Sequence, residues 1–452
     1  MVVTATLIGE DAGSYAIASK TGVVGTISVD TSDFEFNTET QTITKYLGNS
    51  TSVDIPREIN GLEVKAIGDY AFYYESEDGL TLGRPNMKAV YIPNTVVTIG
   101  ANAFLYSGIE TVTIPASVET IGVSAFSYCG NLHTVIFEEG SKCTKIDEWA
   151  FSYTAVANIN IPSGVTVIPF ATFAYCTAES SFTIPVTVTE IGASAFFLNK
   201  YTSYVFETAE NESEISFGLQ AFAGANVTSF EVPARCTYIG GACFQNAVTL
   251  KNFTFAPRTK DLIWGEIEQD ATDWHLAGTS VESIVIPGAI KSVGSGTFCY
   301  VTSLKSVILE EGVEKIDSYA FQGTSVASIN LPKSLKNVGF AAFNECKLLT
   351  EITYSEGEDA QDIVFDEWCF ARTGVSVVNI SSRVVEIKYA VFAFAEKVNT
   401  VNISAEGNAL TFSGHDVFFA SQLTRIVLPS RVVLASAEGT SVFPAGCEIV
   451  NG

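Results

Sequence analysis

Residues 114–129 read IPASVETIGVSAFSYC. The stretch holds no histidine, one acid and one cysteine, so it carries little chemistry of its own. Close variants nevertheless recur: IPNTVVTIGANAF at 92–104, LEEGVEKIDSYAF at 309–321 and LPKSLKNVGFAAF at 331–343. Aligned on the phenylalanine of A-F, the units fall at Phe72, Phe104, Phe126, Phe151, Phe173, Phe196, Phe222, Phe244, Phe298, Phe321, Phe343, Phe370, Phe392 and Phe418. Most spacings are 22 to 27 residues. The first, 32, holds the insertion YESEDGLTLGRPN, and the 54 residues between Phe244 and Phe298 hold one degenerate unit, with Trp274 near the expected place. A period of this length means a solenoid, in which each unit buries its apolar side only against its neighbours.

Each unit has two parts. The first is a short alternating run such as Val112-Thr113-Ile114-Pro115 or Ile159-Asn160-Ile161-Pro162. Period-two alternation with β-branched residues predicts a strand with one buried face. Sixteen such runs lie between Val53 and Ile426. Proline ends the run because it cannot donate to a ladder. The second part is V-x-x-I-G-x-x-A-F. It reads as a turn whose glycine supplies φ > 0, with Asp147 and Asp317 replacing it as residues tolerant of that region. Alanine then allows close packing and phenylalanine fills the interior.

Composition narrows the function. Fifty acids against 25 bases give a net charge of −25. Nucleic acid and anionic lipid both need a basic surface, so neither is the expected partner. No apolar run approaches the ~18 residues of a membrane span, and the start, MVVTATLIGED, lacks the basic and apolar regions of a signal peptide. Nine cysteines show no C-x-x-C and no zinc spacing. Cys129, Cys176 and Cys346 each follow a repeat phenylalanine by three residues, and Cys243 and Cys369 stand where other units have alanine. They read as small buried side chains.

The pattern I-P-x-x-V-x-x-I-G-x-x-A-F-x-x-C, as in IPASVETIGVSAFSYCGNLHTVIF, resembles the BspA-like leucine-rich repeat family of bacterial-surface type, over about residues 50–430. DFEFNTETQTITKYLGNSTSVDIPREINGLEVKAIGDYAF, at 33–72, is similar to the opening of bacterial members, a β-hairpin leading into the first unit. The resemblance implies a right-handed, curved leucine-rich-repeat solenoid. One parallel β-sheet lines its concave face, and short loops and turns form its convex face. Residues 1–50 would form the N-terminal β cap, with Phe34 and Phe36 as lid residues. About sixteen rows would fill 51–430, and 431–452 would form a degenerate last row or cap, from which the array could continue. At ~4.8 Å per strand the body would be about 75 Å long. The resemblance also implies an extracellular or cell-surface protein without enzymatic activity, linked to adhesion and to binding host proteins, with any signal peptide and anchor outside the given chain.

Geometry argues against catalysis as well. His133, His275 and His415 lie about six rows apart, roughly 29 Å. No pair can share a metal, and no nucleophile–base pair, phosphate loop, G-x-S-x-G or H-E-x-x-H is present. The expectation is therefore no catalytic residues, no metal and no cofactor. The working surface is expected at the outward strand positions, which are small and nearly uncharged. Tyr91, Thr113, Ile136, Asn160, Val285, Ile308, Arg425 and Val427 are the candidate partner-binding residues. Val285 and Ile308 form a small apolar patch on adjacent rows. The partner class stays open between a protein and a glycan, and a structural spacer or self-associating rod is the rival reading. The longer units place acids after the strand, at 137–147, 206–216, 256–274 and 354–368. That edge reads as a solvated rim, with a basic partner or calcium as alternatives.

Overall fold

The computed structural model describes residues 31–77, 79–80, 82–210, 212–258, 260–264, 275–435 and 442–452. The expected cap residues 1–30 and the marker Trp274 lie outside them. The chain divides into two compact units, residues 1–213 and 214–452. Each is a parallel β-solenoid, and no helix occurs among the described residues.

A row contributes up to three stretches to bonding with its neighbours. In unit 1 the runs predicted as strands form a parallel sheet of Ser52–Asp54, Ala89–Tyr91, Thr111–Ile114, Thr134–Phe137 and Asn158–Ile159. The V-x-x-I segment, read from sequence as part of a turn, adds a second, shorter strand. Ile67, Ile99, Ile121 and Ile146 stack there in strict register. The third ladder is the A-F segment, where Phe126 N–H donates to Ala150 O (2.9 Å) and Phe151 N–H to Thr172 O (3.0 Å). Unit 2 repeats the plan. Its long strands Ser229–Val232, Asn252–Phe255, Ser283–Ile286 and Ser306–Leu309 form one sheet, and seven short strands pair from Ser292–Val293 to Val432–Leu434.

The phenylalanines form the interior spine. In unit 1 the rings from Phe72 to Phe196 stack at 4.8–5.7 Å between centroids. In unit 2 those from Phe298 to Phe443 stack at 5.1–6.0 Å. Burial of each ring contributes about 2–3 kcal/mol, and each stacked pair about 0.5–1.5 kcal/mol more. The hairpin of Phe34–Asn37 and Thr42–Tyr46 extends the short-strand ladder through Thr42–Ile43 against Ala66–Ile67. Phe34 packs on Tyr46 at 5.2 Å, and Tyr46 on Phe72 at 5.1 Å. Of the two expected lid residues, Phe34 thus reaches the spine through Tyr46, while Phe36 lies opposite Ile43.

Two sequence readings are corrected. In the degenerate row, Phe244 N–H donates to His275 O and Leu276 N–H to Thr297 O. That register puts the fully buried Leu276, not Trp274, in the phenylalanine slot. Nor does the glycine of I-G adopt φ > 0: Gly100, Gly122 and Gly240 are absent from the left-handed residues. The left-handed conformation falls two residues before and two after the spine phenylalanine, as at Ser124 (φ 54°) and Tyr128 (φ 58°) around Phe126. The glycine is needed for contact instead. A Cβ on Gly122 would stand 2.8 Å from Ala101 N and from Gly100 C of the row before.

The row of Phe173 departs from the plan. Pro169 occupies the glycine slot, where Gly122 N–H and Asp147 N–H donate to Ile99 O and Ile121 O. Proline has no such donor, and the short-strand sheet that ends at Lys145–Ile146 restarts as a separate sheet, in which Val167–Ile168 pairs with Glu190–Ile191. On the long-strand side the sheet ends one step later, at Asn158–Ile159, and restarts at Ser181–Ile184 with Ser203–Phe206. The A-F ladder runs on past both breaks, with Phe173 N–H to Ala195 O at 2.9 Å.

Candidate functional site: the long-strand face

The outward positions are where the alternation predicts. Strands such as Thr111–Ile114, Ser283–Ile286 and Ser306–Leu309 alternate exposed and buried side chains. Tyr91 and Thr113 stand out to solvent, as do Ile136, Val285, Ile308 and Val427. Val285 pairs in register with Ile308, so the two exposed side chains are neighbours. Arg425 is exposed, with Nε 3.2 Å from Glu448 Oε2. The candidates do not converge on one spot. Tyr91 to Asn160 lie in unit 1, and Val285 to Val427 in unit 2.

Asn160 differs from the rest. Its amide oxygen accepts from Phe137 N–H and its amide nitrogen donates to Phe137 O, both at 2.8 Å. The side chain thereby takes the place of a ladder rung, and its polar atoms are already engaged. Beside it, at the sheet break, lies a hollow of about 430 Å³ lined by residues 134–136, 157–160 and 181–183. Phe182 underlies the far wall, its ring 4.8–4.9 Å from Phe173, Phe196 and Tyr201. Most rows carry valine or isoleucine at this position.

Two features escaped the sequence reading. Arg383 and Arg431, both buried, reach under loops of the rows before them, the acidic insertion at 354–368 for Arg383 and residues 404–408 for Arg431. Arg383 donates from Nη1 to Ser355 O (2.7 Å), from Nη2 to Pro332 O, Lys333 O and Leu335 O (2.9–3.1 Å), and from Nε to Gln361 O (2.9 Å). Arg431 does the same to Ser404, Asn408, Val384 and Ser381. Desolvation lowers both guanidinium pKa values, while nearby acids, including Asp362 for both, oppose the shift. These arginines bind carbonyls, the five-donor fork matching a cradle of backbone oxygens. The available signal was position. Each arginine is followed by two valines that open a short strand, RVVEI at 383–387 and RVVLA at 431–435. The second feature is a stack of Tyr106, Tyr128, Tyr153 and Tyr175, with centroids 4.2–4.5 Å apart. Its signal was a tyrosine two places after four successive spine phenylalanines.

The chemistry available elsewhere is sparse. All nine cysteines are free, and eight are buried. Burial pushes the Cys129 thiol up to about 11 and that of Cys236 to about 12, so neither is a thiolate at neutral pH. Cys129, Cys176 and Cys346 each donate to the carbonyl of the preceding row's phenylalanine, at 3.1–3.3 Å. His275 is buried against Trp264, His133 contacts Thr134 and His415 contacts Asp416. Among the described residues no three His, Cys, Asp or Glu side chains cluster to hold a metal ion, and no helix is long and apolar enough to cross a membrane.

Comparison with known proteins places this geometry. The family model for the BspA type leucine rich repeat region matches in six copies, over residues 65–202, 215–263, 273–366 and 363–438. A leucine-rich repeat protein from Bacteroides ovatus is similar over 97% of both chains, with 20% identity and a TM-score of 0.57, which speaks to the fold alone. A leucine rich cell surface protein from Faecalibacterium prausnitzii aligns over 82% of this chain and 92% of its own, at 21% identity and a TM-score of 0.41. The pneumococcal vaccine antigen PcpA aligns over 97% and 91%, at 19% identity and a TM-score of 0.36. A comparison with curated protein sequences found no match. The repeated I-P-x-x-V-x-x-I-G-x-x-A-F unit, its paired strands and its phenylalanine spine thus have one source: the chain belongs to the BspA type leucine-rich repeat family.

Proposed function

We propose that the chain is a non-enzymatic, extracellular or cell-surface binding protein, adhesin-like, that engages a protein partner through its long-strand face. One observation carries the reading. In a protein of net charge −25, the exposed positions of the long strands from Tyr91 to Val427 hold only two carboxylates, Glu231 and Glu351, and one base, Arg425. A flat, neutral face with exposed Ile136, Val285 and Ile308 has little desolvation to overcome on docking. Tyr91 is the one aromatic among these positions, and sugar recognition leans on free aromatic faces, so a protein is favoured over a glycan. Membership of a repeat family that the resemblance links to bacterial surfaces supports the location.

The test is solid-phase binding of the full chain to purified extracellular-matrix proteins and to a glycan array, with Val285→Lys/Ile308→Lys as the variant. Saturable binding to a matrix protein, weakened at least about tenfold in the variant, is expected. Binding that ignores the variant, or concentration-dependent self-association with no partner bound, would turn the reading toward a structural spacer.

A further inference from the structure

The broken sheet in unit 1 leaves two strand edges facing one hollow. Asn158–Ile159 pairs with Thr134–Phe137 on one side, and Ser181–Ile184 with Ser203–Phe206 on the other. Neither pairs with the other. The rows are nonetheless held in register behind the opening. Val167 and Ile168 pair with Glu190 and Ile191, and Ala171, Phe173 and Tyr175 N–H groups donate to Ala193, Ala195 and Phe197 at 2.8–3.1 Å. The opening is therefore confined to the long-strand side. Such edges are templates for another extended backbone.

The walls say what kind. None of the lining side chains is ionisable. Ile159 is half-buried, whereas its counterparts Val135 and Phe182 in the rows on either side are 1% and 3% exposed. An apolar contact is thus left incomplete inside a ring of Asn158, Ser181 and Thr183.

We propose that this slot binds an extended, neutral peptide segment rich in small and β-branched residues, by strand addition between the Phe173 and Phe196 rows. The proposal deepens the binding reading above by naming the partner's chemistry, and rests on it for its biological meaning. The best available mimic of such a segment is a rung of the protein's own ladder. Thr111–Ile114 has the required neutral, alternating, β-branched sequence.

The experiment uses the full chain and the peptide acetyl-TVTIPA-amide, copied from residues 111–116, read by amide hydrogen exchange and titration. The expected result is saturable binding that slows exchange at residues 157–161 and 180–184. A peptide N-methylated at alternate residues, which cannot form the ladder, should bind at least about tenfold more weakly. Ile136→Lys, an exposed substitution on the wall, should weaken binding without altering the melting temperature. Equal binding of the N-methylated peptide, protection at another edge such as Glu448–Asn451, or unchanged exchange at the solubility limit of the peptide would each overturn the proposal. A negative result leaves the Val285/Ile308 assay standing, because those residues belong to the other unit.

Discussion

Tyr128 and Tyr153 lie face to face, ring centroids 4.2 Å apart and planes 8° from parallel. Desolvation, followed by the neighbouring phenols Tyr128 and Tyr175, pushes the Tyr153 phenol well above its ordinary value, and Tyr106 is raised as well. The folded state therefore favours the neutral phenol. That contribution to stability is complete below about pH 10, the unfolded value, and is lost as pH rises through the folded one. Phenolate absorbance should show a late-titrating tyrosine that Tyr153→Phe removes, and the melting temperature should fall above about pH 10. Uniform titration of all tyrosines at the ordinary value would refute the stack's influence.

Arg383 ties its own row to carbonyls of the two rows before it. Arg383→Met leaves those of Ser355, Pro332, Lys333 and Leu335 without their donor. The expected loss is on the order of 3–5 kcal/mol in denaturant unfolding. Arg383→Lys should recover only part, since a single ammonium cannot reproduce the fork. Arg57→Met is the control. Its exposed pairing with Glu63 at 3.8 Å should contribute less than about 1 kcal/mol.

Two glycines separate contact from freedom. Gly122→Ala drives a Cβ against the backbone of the preceding row and should cost about 1–3 kcal/mol. Gly130→Ala meets nothing within 4 Å and should stay within about 0.5 kcal/mol of the wild type. Equal effects in thermal unfolding would contradict the row-to-row contact.

Much of this fold was legible because each row repeats the same demand. The alternation at Val112-Thr113-Ile114 gave the strand and its outward residue. The spacing of A-F gave the spine. What the sequence concealed were relations between rows. The role of Gly122 depends on the backbone of Gly100 and Ala101, one row away, so reading it within its own turn assigned it the wrong conformation. The slot of Leu276 emerges only from counting back 22 residues from Phe298. The outward candidates were located correctly as exposed positions, yet Asn160 shows what exposure alone misses, since its amide is bonded to Phe137. Pro169 in TVIPF was a visible signal that a ladder must break there.

Pro169→Gly tests that break. The new N–H takes the place that Asp147 N–H holds against Ile121 O one row earlier, so its acceptor would be Ile146 O. One ladder bond adds about 1 kcal/mol, and the glycine's extra unfolded-state freedom removes about 0.4–1 kcal/mol. Stability should barely change, while the amide of residue 169 becomes protected from exchange. An unprotected amide would mean that the gap has another cause.

The left-handed residues around each spine phenylalanine bear on how the protein folds. A non-glycine residue in that region costs roughly 1–2 kcal/mol, and the Phe126 row has two, Ser124 and Tyr128. Their N–H groups donate to Glu148 O and Ser152 O of the next row, not within their own. A lone row therefore carries the cost of its turn and lacks the bonds that offset it. Nucleation must engage several rows at once, after which each added row closes a ladder already begun. Folding of either unit is accordingly expected to start from a cluster of adjacent rows and spread outward, with no stable single-row intermediate.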